Sequence, residues 1–267
     1  MPSAKLESGL TLSYYEQGDV NGLPVVLLPG PTDAWRSYQP VLDRLPREIR
    51  AIAVSQRGHG GSDKPESGYR VEDFAGDVVA LLDALGIERA VLAGHSGSCL
   101  VVRRAALDHP DRVAGLVLEA SPTALGNDAK LIQFVRSVVA NLVDPIDPDF
   151  ARAVVTDTSS ENLPPELVEA LVDDVLAVPA GVWKETFARL LEYDDVAELS
   201  TIEAPTLLVW GDADDLVSRA LQEQLASTIP NAALAVYAGI GHTPRWEQPA
   251  RFAEDLTRFV REVFERD

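Results

Sequence analysis

The stretch Ala90-Val91-Leu92-Ala93-Gly94-His95-Ser96-Gly97-Ser98 decides how the rest of the chain is read. A short apolar run ends at a glycine, and residues 99–109 then read as a helix that Pro110 stops. A serine between small residues at a strand-to-helix turn sits in a sharp bend. Only small neighbours allow that bend, which lifts the hydroxyl clear of the sheet. The same geometry aims the N-terminus of the following helix, and the Gly97 N–H, at any oxyanion that forms there. Ser96 is therefore the candidate nucleophile, and the plainer alternative is a tight turn rich in Gly and Ser.

Outward from this turn, short apolar runs alternate with longer segments of helical period. Residues 10–15, 24–28, 49–54, 90–93, 113–119, 206–210 and 232–237 read as strands. Val71, Phe74, Ala75, Val78, Leu81, Leu82 and Leu85 recur at helical spacing until Gly86 stops them. The alternation predicts an α/β fold, a mostly parallel, doubly wound sheet with helices on both faces. From 122 to 193 it lapses and only helices are legible, with Pro165 suited to a first helical position. That interval predicts an all-helical cap, residues 122–193, inserted late in a core of 1–121 and 194–267. It should lie over the C-terminal edge of the sheet, where open α/β sheets bind ligands.

With 267 residues, 46% of them hydrophobic, the chain can bury one large core. A formal charge of -19 repels phosphate backbones and anionic lipid, so neither nucleic acid nor a membrane surface is expected as a partner. A small molecule is, with a homodimer left open. The single cysteine, Cys99, excludes an internal disulfide, and the start MPSAKLESGL has no apolar signal core. No apolar run has the length of a membrane span, so a cytoplasmic location is expected.

A serine hydroxyl needs a base within hydrogen-bond reach. Of the four histidines, His59 lies in the turn Arg57-Gly58-His59-Gly60-Gly61, His95 in the elbow and His109 before Pro110. His242 follows the last strand in a glycine-rich loop and is the candidate base. An acidic turn, Asp212-Ala213-Asp214-Asp215, precedes it and ends the strand 206–210. A carboxylate there can hold the imidazole tautomer and stabilise the imidazolium. Asp214 is preferred, Asp212 suits the loop's own backbone, and Glu119 is the outside candidate.

Taken together, the ordered motifs resemble the α/β-hydrolase superfamily, in the branch with a helical cap. They are Leu28-Pro29-Gly30 with Trp35 downstream, Gln56-Arg57-Gly58-His59-Gly60-Gly61-Ser62, Gly94-His95-Ser96-Gly97-Ser98, the segment 205–214, and Gly241-His242 leading to Trp246-Glu247-Gln248-Pro249. The resemblance spans nearly the whole chain. It implies Ser96 as nucleophile, His242 as base and Asp214 as acid, with no metal and no organic cofactor. Relatives with epoxide hydrolase or haloalkane dehalogenase activity carry aspartate where Ser96 stands, which disfavours those reactions.

Two departures stand out. Ser98 replaces the usual glycine. In relatives the first turn reads His-Gly-x, and the N–H of x is an oxyanion donor beside that of the residue after the nucleophile. Here x is Pro31, which has no N–H. Loss of one such donor costs roughly 3 kcal/mol of transition-state stabilisation. Either Thr32 supplies its N–H or hydroxyl, or the reaction needs less help at that oxygen. The implied activity is hydrolysis of a carboxylic ester or lactone through an acyl-enzyme. The alternatives on the same fold are carbon-carbon hydrolysis, perhydrolysis, and lyase or cofactor-free oxygenase chemistry on an aromatic substrate. A non-catalytic binding module is a third class. Trp35, Phe134, Trp183 and Phe187 are the candidate walls of an apolar substrate pocket, or else aromatic packing of the lid.

Overall fold

The computed structural model describes residues 1–159 and 163–266. Among these, eight strands form one sheet in the order β1-β2-β4-β3-β5-β6-β7-β8. They are β1 (Ser3–Lys5), β2 (Thr11–Gln17), β3 (Leu23–Leu28), β4 (Ile49–Val54), β5 (Ala90–His95), β6 (Val113–Glu119), β7 (Thr206–Gly211) and β8 (Ala232–Tyr237). β1 and β2 are antiparallel to their neighbours and the remaining pairings are parallel. The inner strands match the sequence reading to within two residues at each end, and the larger departures are at the edge. The first expected strand starts one residue later and runs on to Gln17, and β1 was not anticipated. With three residues, β1 is too short for its alternation to be recognised.

Helices cover both faces: α1 (Gln39–Leu42), α2 (Val71–Ala84), α3 (Ser98–Asp108), α4 (Ala129–Ser137), α5 (Pro148–Thr156), α6 (Pro165–Leu176), α7 (Ala180–Glu192), α8 (Arg219–Thr228), α9 (Pro244–Glu247) and α10 (Pro249–Glu265). Side chains of a strand alternate between faces, so β3 splits its apolar run. Val26 and Leu28 enter the core shared with α2 and α3, while Val25 and Leu27 enter the one shared with α10. A strand covered on both sides has no polar face to show, which is why β5 and β6 are buried throughout. Gly86, at φ +64°, ends the α2 region as its position predicts.

Between β6 and β7 the long elements are the helices α4 to α7. Asp128 caps α4 by accepting from the N–H groups of Lys130 and Leu131 at 2.9 Å, and Asp147 caps α5 through the Phe150 N–H at 2.9 Å. One cation fastens both ends of this segment. The fully buried Arg103 of α3 donates to the carbonyls of Pro122 and Thr123 at 2.8 Å, and to the Asp195 carboxylate at 2.7 and 3.0 Å.

Parallel register then brings the functional loops together. Leu28 pairs with Gly94, His95 with Glu119, Glu119 with Val209 and Gly211 with Tyr237. The first turn, the elbow, the acidic turn and the His242 loop therefore all leave the same sheet edge.

Candidate active site

Ser96 occupies the left-handed region at φ +52°, as a sharp strand-to-helix bend requires of its central residue. Its N–H is tied to the Glu119 carbonyl at 2.9 Å. The flanking glycines are obligatory. A Cβ at Gly94 would lie 2.6 Å from the Ser98 carbonyl oxygen, and one at Gly97 would lie 2.8 Å from Cγ of Pro31. Ser98, the departure from the usual glycine, donates from Oγ to the Pro29 carbonyl at 2.6 Å and accepts from Gln56 Nε2 at 3.0 Å. It fastens the elbow to the first turn.

His242 Nδ1 lies 2.8 Å from Asp214 Oδ2. Asp214 Oδ1 accepts from the N–H groups of Leu216 and Val217 at 2.8 and 3.0 Å, so both oxygens are occupied and the carboxylate cannot swing. A donor on Nδ1 leaves Nε2 of the neutral ring as its proton acceptor. The loop carrying this ring is pinned on both sides: the His242 N–H donates to the Thr158 carbonyl at 3.1 Å, and its carbonyl accepts from His95 Nε2 at 3.0 Å. Burial, with Arg245 and His242 nearby, pushes the His95 imidazole well below the usual histidine range. His95 is thus a neutral brace.

Asp212 instead accepts from the Gly239 N–H at 2.6 Å, serving the loop backbone as its position suggested. Glu119 is fully buried against Arg245, accepting from its N–H at 2.9 Å and its guanidinium at 3.3 Å. Burial raises its carboxyl and Arg245 pulls it down. The same Arg245 donates to Asp33 Oδ2 and Ser37 Oγ at 2.8 Å and lies 4.4 Å over the Trp246 ring. It welds the first turn to the His242 loop, a link between residues 212 apart that no local pattern announces.

Ser96, His242, Gly97, Pro31 and Thr32 all open on one cavity of about 560 Å³. Of the four expected aromatic walls, Phe134, Trp183 and Phe187 line it, with Trp183 and Phe187 stacked at 5.4 Å. Trp35 does not. It begins the 3-10 turn Trp35–Tyr38, its N–H is held by Ser55 Oγ at 3.3 Å, and its ring stacks on Tyr15 of β2 at 4.7 Å. Trp246 and Phe150 are walls that the sequence reading missed. Trp246 lies four residues past His242 in a motif already recognised, so one helical turn of α9 was the available signal. Among the described residues, no three His, Cys, Asp or Glu side chains gather as metal ligands. No helix among them is long and apolar enough to cross a membrane.

The alpha/beta hydrolase fold family model matches residues 24–249. The chain belongs to the α/β-hydrolase family. This α/β-hydrolase is 29% identical to a non-heme chloroperoxidase of Streptomyces lividans, over 98% of its own length and 100% of the relative's. It superposes on a thermophilic esterase of Thermogutta terrifontis with a TM-score of 0.86 and 26% identity, covering 98% of both chains. With Est816, described as an N-acyl homoserine lactone degrading enzyme, the TM-score is 0.79 and the identity 30%, over 97% of this chain and 100% of the other.

Proposed function

We propose that this α/β-hydrolase is a serine hydrolase that cleaves a carboxylic ester or lactone of a small, largely apolar substrate through an acyl-enzyme on Ser96. The observation that carries the reading is the buried His242–Asp214 pair, at 2.8 Å, on the cavity onto which Ser96 opens from its strained elbow. Ser96 Oγ attacks the acyl carbon as His242 Nε2 takes its proton, and Asp214 stabilises the resulting imidazolium. The Gly97 N–H, which donates to no described residue, meets the oxyanion. His242 returns the proton to the leaving oxygen, and water then releases the acid by the same steps in reverse order of roles. Residues 122–193 act as a cap whose aromatic walls select an uncharged acyl or alcohol group. Similarity to an esterase and to a lactone-degrading protein supports the reading.

A second reading, acyl transfer to peroxide, is favoured by the similarity to a non-heme chloroperoxidase. Rapid mixing with p-nitrophenyl acetate and butyrate tests the first. The expected result is a burst and steady turnover that Ser96→Ala abolishes. A folded wild type without turnover would remove the ester reading, and peracid as the main product in added peroxide would replace it with the second.

A further inference from the structure

We infer that the second oxyanion donor of this site is the main-chain N–H of Thr32, aimed and polarised by His59; the inference rests on the acyl-enzyme reading above. Residues 30–33 form a turn closed by the Asp33 N–H on the Gly30 carbonyl at 3.1 Å, and Pro31 within it has no N–H to offer. The peptide joining Pro31 to Thr32 is trans, so its C=O and N–H point to opposite edges of one plane. The carbonyl edge is taken by His59, whose Nε2 lies 2.6 Å from Pro31 O. His59 has no exposed surface and lies away from the cavity, whereas Thr32 lines it. The N–H edge therefore turns from His59 toward the cavity.

That N–H donates to no described residue, and neither does the N–H of Gly97. Thr32 is only 7% exposed and lines the cavity, so a partner for this N–H comes from the cavity side. Two such donors on one cavity beside Ser96 are what a developing oxyanion uses. Both ring nitrogens of His59 face carbonyls, Nδ1 lying 2.8 Å from that of Arg57; burial lowers the His59 imidazole and favours the neutral ring, whose single N–H the shorter contact assigns to Nε2 and Pro31. A hydrogen bond into a carbonyl polarises its amide and makes the N–H on the far edge a stronger donor. His59 is thus a positioning residue. The donor that Pro31 removes is restored one residue later.

The test uses an alkyl trifluoromethyl ketone and the matching methyl ketone as inhibitors. Ser96 Oγ adds to the trifluoromethyl ketone carbon, His242 takes the hydroxyl proton, and the carbonyl oxygen becomes a bound oxyanion. The methyl ketone stays largely unadded. Their ratio of inhibition constants reads the oxyanion site apart from ground-state binding. In His59→Leu, this ratio and kcat should both fall about tenfold or more with KM within about twofold, and His59→Gln, whose amide can still donate to Pro31, should recover most of the loss. A folded His59→Leu with the wild-type ratio would overturn the inference. Pro31→Ala keeps it testable should His59→Leu not fold. Loss of the ring's fixed φ should lower kcat a few-fold, whereas a rise of about tenfold would show that the missing N–H at 31 limits the enzyme and that Thr32 does not replace it. A wild type that prefers neither ketone and forms no Ser96 adduct would instead remove the acyl-enzyme reading itself.

Discussion

The elbow at Gly94–Ser98 and the turn at Pro29–Asp33 leave adjacent strands at paired positions, yet they are built on opposite plans. The elbow holds a left-handed Ser96 because glycines stand where any Cβ would strike the backbone or Pro31. Its function is written in residue size. The first turn is stiffened by two prolines and then gripped from outside by the Ser98 hydroxyl, His59 and Arg245. Its function depends on which way one peptide plane faces, and partners distant in the chain decide that. A bend enforced by sterics can be recognised in five letters, whereas one enforced by hydrogen bonds needs the fold.

Substitutions can break this contrast, beginning with the elbow. Gly94→Ala forces a backbone shift at 2.6 Å from Ser98 O, and should cost about 4 kcal/mol in urea unfolding together with most of the turnover. Survival of both would show that the elbow is not held by sterics. In the first turn, Asp33→Ala leaves the fully buried Arg245 with Glu119 as its one carboxylate partner among the described residues, and chemical denaturation should report a loss of about 3 kcal/mol. The tie between the two turns is smaller. Ser98→Ala removes the bond to Pro29, which still accepts from Gln56 at 3.1 Å, so about 1 kcal/mol should be lost and kcat should drop a few-fold.

The outermost grip on the first turn is an ion pair of Arg36, just beyond it, with Asp174 of α6 at 2.9 Å. Burial pushes the Asp174 carboxyl up to about 7 against the pull of Arg36. An ordinary aspartate ionises near pH ~4, so the unfolded chain releases this proton before the folded protein does. The folded state binds the extra proton between those values, and the stability it confers is lost as pH rises from about 4 to about 7. Thermal melts of Asp174→Asn should therefore rise by a few degrees above wild type at pH 8 and differ little at pH 4. An equal shift at both pH values would show that ionisation of Asp174 does not limit stability.

The same contrast explains what could be read from the chain beforehand. The parallel strands were legible because burial on both faces makes them continuous apolar runs, and α2 because its apolar face recurs up to Gly86. That Ser96, Asp214 and His242 lie near one sheet edge was legible because each follows a strand, in an order that sheet topology converts into proximity. Trp35 was misread because its packing partner, Tyr15, lies on β2, which β4 separates from β3 in the sheet. Arg103 and Arg245 were not singled out at all. Each looks like an ordinary charged residue until carboxylates from remote loops, Asp195 and Asp33, close on it.

The most direct test of Ser96 as the nucleophile is intact-mass analysis and peptide mapping after treatment with an alkyl fluorophosphonate. The expected result is a single adduct on Ser96, absent from Ser96→Ala. A folded wild type that takes up no label, or takes it up at another residue, would contradict it.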